Sequence, residues 1–118
     1  MQIAYVNIFV SDLTQAIAFY QGKLGLQVQF SSSEHGYASL SAGAIRLGIA
    51  VPGQEEMQLI GRHTGVGLEV TDLESEHNRL TALEVRFTRQ PWGGFMALIA
   101  DPDGNVLYLD QKSSPHGQ

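Results

Sequence analysis

The chain contains no cysteine. That excludes disulfides, thiolate metal sites and a cysteine nucleophile, and it fits a reducing cytosol. Basic residues are scarce: 7 Lys and Arg against 12 Asp and Glu give a formal net charge of −5 at pH 7. An acidic chain with so few, scattered cations is not built to bind nucleic acid or an anionic membrane. Long apolar runs are also missing, and none approaches the ~20 residues needed to span a bilayer. The opening Gln2-Ile3-Ala4-Tyr5-Val6-Asn7-Ile8 has neither the basic start nor the long apolar core of a signal peptide. A cytoplasmic protein without nucleic-acid or membrane partners is therefore expected. The phosphate-cradling glycine loop, the GxSxG nucleophile elbow and the HExxH zinc motif are absent as well.

What is present is a globular composition, 43% hydrophobic and 16% charged over 118 residues, enough for one compact domain or two small modules. An internal repeat decides for modules. Val6-Asn7-Ile8-Phe9-Val10-Ser11-Asp12-Leu13 returns as Val66-Gly67-Leu68-Glu69-Val70-Thr71-Asp72-Leu73, each an alternating strand running into a hydroxyl-Asp-Leu helix start. Leu26-Gln27-Val28-Gln29-Phe30 follows the first helix, and Leu83-Glu84-Val85-Arg86-Phe87 follows the second.

Leu13, Ala16, Ile17, Tyr20 and Leu24 form a 3.6-residue stripe, which predicts a helix over 13–24 capped by Ser11 or Asp12 and stopped by Gly25. In the second copy Thr71 and Glu74 have capping-box spacing, and Leu73, His77, Leu80 and Leu83 mark the inner face of a helix over 73–83. His77 takes the place of Ile17 and reads as a packed histidine, not a ligand. His35, beside Glu34, reads as part of a solvated loop. Strands are expected at 26–31, 36–41 and 44–51, then at 85–88, 94–100 and 105–110, the last two joined by the turn Asp101-Pro102-Asp103-Gly104. The fold class is α+β: two βαβββ modules, 1–53 and 63–112, forming curved mixed sheets around a cleft with the helices outside. A polar linker is expected over 54–62 and a disordered tail over 113–118.

Alternation assigns the strand faces. Val6, Ile8 and Val10 oppose Tyr5, Asn7 and Phe9; Val66, Leu68 and Val70 oppose Gly65, Gly67 and Glu69. Ile45, Leu47 and Ile49 oppose Arg46, Gly48 and Ala50, and Leu107 and Leu109 oppose Val106, Tyr108 and Asp110. One face is aliphatic and suits the helices. The other is small, aromatic or polar, which suits a ligand cleft.

Val10-Ser11-Asp12-Leu13 with Ala16-Ile17-Ala18-Phe19-Tyr20 and Leu24-Gly25-Leu26 resembles the first helix region of the glyoxalase, bleomycin-resistance and extradiol dioxygenase (vicinal oxygen chelate) superfamily. Thr71-Asp72-Leu73, Pro91-Trp92-Gly93-Gly94 and Asp101-Pro102-Asp103-Gly104-Asn105 extend the resemblance over nearly the whole chain. The resemblance implies a divalent metal held by one His, Gln or Glu from each of four strands. Carried over residue by residue, those positions fall on Tyr5, Gly48, Gly65 and Tyr108, none of the implied kind. The expectation is a binding protein with no metal and no cofactor, taking a small, partly aromatic ligand such as an antibiotic or a metabolite. Its ligand-binding residues would be Tyr5, Asn7, Phe9, Tyr37, Arg46, Glu69, Trp92, Tyr108 and Asp110. The alternative is a lyase or dioxygenase of the same superfamily with a non-standard metal site drawing on His63, Glu69 or Asp110. A third reading makes the fold mainly a surface for protein association. Modules of roughly 55 residues hold thin cores, and the superfamily resemblance implies a homodimer.

Overall fold

The computed structural model describes residues 1–90 and 95–112. Trp92 with its neighbours in Pro91-Trp92-Gly93-Gly94, and the tail at 113–118, lie outside the described residues. The chain forms two compact units, Met1–Arg62 with Pro102–Asn105, and His63–Asp101 with Val106–Gln118.

In the first unit β1 (Tyr5–Phe9) leads into α1 (Leu13–Ile17), followed by β2 (Gln27–Ser32), β3 (Tyr37–Ala42) and β4 (Ile45–Ala50). The second unit repeats the order with β5 (His63–Val70), α2 (Leu73–Ala82), β6 (Arg86–Arg89), β7 (Met96–Ala100) and β8 (Val106–Gln111). The sheets run β1-β4-β3-β2 and β5-β8-β7-β6. In each, the first strand of the repeat lies parallel to the last and the remaining pairs are antiparallel. The expected α+β class with two βαβββ modules is the observed one. The segment read as linker carries a short 3₁₀ stretch, Gln54–Leu59. No helix among the described residues is long and apolar enough to cross a membrane.

Each core lies between a sheet and its own helix. Ile8, Val10, Leu40, Leu47 and Ile49 bury against Ala16, Phe19 and Tyr20; Ala97, Ile99, Leu107 and Leu109 bury with Leu73, Leu80 and Val85. These are the aliphatic alternates of the strands, and desolvating them drives each unit together.

The helices depart from the sequence reading in instructive ways. Asp12 caps α1 by accepting from Gln15 N–H at 2.9 Å. Asp72 caps α2 in the same extended conformation, accepting from Glu74 N–H at 3.1 Å and from the Ser75 hydroxyl at 2.9 Å. The expected Thr71–Glu74 capping box is therefore not the cap, because the Asp one residue later already occupies that position.

Beyond Ile17 the first helix widens into a π-helical turn, Ala18–Lys23, with Leu24 N–H donating to Phe19 C=O at 3.0 Å. A wider turn advances by a smaller angle per residue, so consecutive Phe19 and Tyr20 both face inward. They meet edge to face at 5.0 Å, while Ile17 and Leu24 are only half-buried. Gly25 at φ +85° then reverses the chain. In the second unit that place belongs to Glu84 at φ +64°, and Leu83 lies beyond the last helical residue with 37% of its surface exposed. Leu26 thus corresponds to Val85, not to Leu83, and the second half of the sequence repeat is offset by two residues from its structural alignment.

The turn at Asp101-Pro102-Asp103-Gly104 is present, and residues Pro102–Asn105 belong to the first unit. Asp103 accepts from Ser11 N–H at 2.9 Å and from its hydroxyl at 2.6 Å. Buried Asn105 accepts from Gly61 N–H and Arg62 N–H at 2.8 and 3.1 Å and donates to Phe9 C=O at 2.8 Å. These residues tie the end of β1 to the segment that precedes β5.

Candidate functional site

On each sheet the face away from the helix, here the far face, gathers the polar and aromatic alternates. The register of the first sheet sets them in rows. Tyr5, Arg46 and Ser41 stand side by side across β1, β4 and β3; Asn7, Gly48 and Ser39 form the next row; Phe9, Ala50 and Tyr37 form the third. A bulge at Gln29 brings Phe30 opposite Ser39. Five of the expected ligand residues, Tyr5, Asn7, Phe9, Tyr37 and Arg46, thus share one face.

The Arg46 guanidinium carbon lies 5.7 Å from the centre of the Tyr5 ring, within cation–π range. Asn7 and Tyr37 converge on the backbone of Gly48. A Cβ at that position would overlap Asn7 Oδ1 and stand 2.8 Å from the Tyr37 hydroxyl. A depression of about 420 Å³ opens on this face, lined by Gln29, Phe30, Tyr37, Ser39, Ser41 and Arg46 with the Gly43-Ala44-Ile45 turn. Sequence reasoning passed over Gln29, Phe30, Ser39 and Ser41. The parity of Tyr37 carries to Ser39 and Ser41 two and four residues on, a signal that was available. The bulge that reorients Phe30 leaves no such trace.

On the second sheet Gly67 pairs with Tyr108, and Glu69 with Asp110. The Tyr108 ring packs on His63 with centroids 4.9 Å apart. His63 Nδ1 accepts from Gly65 N–H at 3.1 Å, which leaves the ring proton on Nε2. Glu69, Tyr108 and Asp110 therefore share the far face of this sheet as read from alternation. His77 lies on the helix side, half-buried and stacked on Phe87 at 4.4 Å with 6° between the rings. It is a packing residue, as its stripe position implied. His35 accepts or donates at Ser32 Oγ (2.9 Å) in a loop where its side chain and that of Glu34 are 75% and 85% exposed.

The positions at which the family resemblance places metal ligands can be tested one by one. Gly48 supplies no donor, and the space a side chain would need is taken by Asn7 and Tyr37. Tyr5 is covered by a cation, which repels a divalent ion. Gly65 supplies no side chain, and Tyr108 is engaged with an imidazole ring. Among the described residues no group of three or more His, Cys, Asp or Glu is placed to hold a metal, so His63, Glu69 and Asp110 do not form one. The residues present do not fit the metal that the family implies.

Comparison with known proteins agrees with this architecture. A model of the Glyoxalase/Bleomycin resistance protein/Dioxygenase superfamily matches residues 2–109. Among solved structures, the chain is similar to an antibiotic-binding protein from Streptomyces sp. CB03234, with 25% identity and a TM-score of 0.77 over 96% of this chain and 97% of the other. A glyoxalase/bleomycin resistance protein from Streptomyces sp. CB03234 matches at 26% identity and TM-score 0.68, over 93% and 100% of the two chains. A lactoylglutathione lyase from Agrobacterium tumefaciens shares the fold at 20% identity and TM-score 0.74, over 94% and 93%. No match was found among curated proteins.

Proposed function

The chain belongs to the glyoxalase/bleomycin resistance protein/dioxygenase superfamily, and we propose that within it this protein is a binding protein. In this reading it takes a small, partly aromatic molecule, such as an antibiotic or a metabolite, and works without a metal. The observation that carries the reading is the row Asn7, Gly48 and Ser39. Where the family resemblance calls for a metal ligand there is a bare backbone, roofed by an amide and a phenol that belong to a recognition surface. The adjoining depression of about 420 Å³, walled by Phe30 and Tyr37, has the size and lining of a small-molecule site. The similarity to an antibiotic-binding protein supports the choice of ligand class.

The proposed ligand residues are, on the far face of the first sheet, Tyr5, Asn7, Phe9, Tyr37 and Arg46 and, on the far face of the second taken by itself, Glu69, Tyr108 and Asp110. The protein works as a homodimer in the cytoplasm, a setting the absence of cysteine fits. Calorimetric titration of protein purified without chelators, against a panel of fused-ring aromatic antibiotics, tests the reading. At least one compound should bind with an affinity that EDTA leaves unchanged and without being altered. In that titration Tyr108→Phe should weaken binding by about 1 kcal/mol, the worth of one net hydrogen bond. One transition-metal ion per chain, together with conversion of a bound compound that EDTA abolishes, would establish the enzyme instead.

A further inference from the structure

The far face of the first sheet carries a charge pattern at odds with the rest of the molecule. The whole chain has a net charge of −5, yet the strand positions on this face hold one cation, Arg46, and no carboxylate. Arg46 is exposed and makes no ion pair among the described residues. Its guanidinium carbon lies over the Tyr5 ring, and a cation–π contact occupies no oxygen acceptor, so the guanidinium N–H groups remain available to a ligand.

In the next row of this face, two residues along β3 from Ser41, stands Ser39, 5% exposed, whose Oγ is buried and has no hydrogen-bond partner. A buried hydroxyl in that state is destabilising until something accepts its proton, and native folds rarely keep one without a use. Ser41, beside Arg46, adds a second hydroxyl to the lining of the same depression. Phe30, opposite Ser39 and 58% exposed, offers an aromatic plane at the entrance.

Resting on the binding-protein reading above, we infer that this face selects organic acids: flat, aromatic molecules bearing a carboxylate. The carboxylate takes paired N–H bonds from Arg46 and accepts from the Ser39 and Ser41 hydroxyls, while the ring system lies along Phe30 and Tyr37. Planar, bidentate pairing with a carboxylate is what a guanidinium does best. With no acid on the face to compete, the ligand supplies the missing negative charge. Ser39 Oγ is buried, so binding requires the exposed Phe30 side chain opposite it to shift, and the ligand ring packs against Phe30 in that shifted position.

Calorimetry with 2-naphthoate, 2-naphthamide and 2-naphthylmethylammonium separates the possibilities. The three share a ring and differ in charge at one point. The naphthoate should bind about tenfold or more tighter than the amide, as hydrogen bonds to a charged group imply, and the ammonium should bind weakest. Arg46→Gln should erase the difference between acid and amide. Ser39→Ala should weaken the naphthoate about fivefold or more, with a Tm equal to or above that of the wild type, because no existing bond is lost. Equal affinity for all three probes overturns the acid preference and leaves the binding-protein reading standing. Binding by none of them overturns the assignment of this face to aromatic acids, whereas the antibiotic titration above decides the binding-protein reading by itself. A lowered Tm for Ser39→Ala shows that the hydroxyl already has a partner and overturns its assigned role.

Discussion

Gly48 shows how one residue couples stability to the chemistry a fold can host. In the first sheet the paired positions on β1 and β4 are Asn7 and Gly48; in the second the corresponding pair on β5 and β8 is Gly67 and Tyr108. Each repeat places one side chain over one bare backbone, but from opposite strands. Replacing Gly48 by Ala drives a methyl into Asn7 and to 2.8 Å from the Tyr37 hydroxyl. Both must move, so the variant should lose about 1–3 kcal/mol, the usual cost of overpacking. Asn7→Ala added to Gly48→Ala should recover more than half of that loss, a negative coupling that urea denaturation of the two single variants and the double variant measures. Additive losses would mean that Asn7 does not occupy the space above residue 48. A second residue-scale test concerns Glu84, at φ +64°. A side chain in the left-handed region costs about 1–2 kcal/mol, and Gly25 holds the same place in the first repeat at φ +85° without that penalty. Glu84→Gly should therefore raise stability by about 1 kcal/mol, visible as a higher midpoint in thermal or urea unfolding.

At the scale of elements the two helices differ by a single residue. From Leu13 to Gly25 the chain is one residue longer than from Leu73 to Glu84, and the π-helical turn at Ala18–Lys23 is where the first helix accommodates the excess. Deleting Gly22, which is exposed and has nothing within 4 Å of a Cβ built upon it, should return the segment to an ordinary α-helix. The loss of stability should stay below about 1 kcal/mol, since a helical glycine is itself unfavourable by that order. Deleting buried Ala16 instead rotates Phe19 and Tyr20 away from the core, and circular dichroism should show that variant unfolded. The same feature shows what periodicity could reveal. Strand alternation was legible, and so were the helix starts at Leu13 and Leu73, because the aliphatic alternates and short polar caps act through local, regular geometry, although the second cap is Asp72 and not the expected Thr71. Phe19 was missed because a 3.6-residue stripe presumes a uniform turn. Phe30 was missed because the bulge at Gln29 breaks a period of two. The offset between Leu83 and Val85 arose because sequence likeness aligned two leucines where the backbone aligns two left-handed residues. Parity was sufficient to place Tyr5, Asn7 and Arg46 on the far face. The burial of Ser39 without a partner depends on its neighbours in three dimensions and has no counterpart in the string.

For the whole molecule the open question is what the far faces meet. The cores described above occupy only the helix side of each sheet, with Ile8, Leu40 and Ile49 in one unit and Ile99, Leu107 and Leu109 in the other. A sheet covered on one face still has a second face to accommodate, and here it includes Tyr5 at 50% and Phe30 at 58% exposure. Scattered apolar residues on a surface are ordinary. Two large aromatics on the same sheet face, beside an unsatisfied buried hydroxyl, point to an occupant. A ligand of drug size fills a depression of about 420 Å³ but does not extend along a four-stranded sheet. A second chain does, and a stable interface needs roughly 800 Å² from each partner, an area a sheet face can supply. The prediction is a homodimer in which the partner closes the site without filling it. Sedimentation equilibrium at micromolar concentration should give twice the 12.9 kDa chain mass. Tyr5→Glu, which adds a charge on that face near the expected contact, should shift the population toward monomer and weaken ligand binding at the same time. A monomer of 12.9 kDa in the wild type with ligand binding intact would show that one chain completes the site alone.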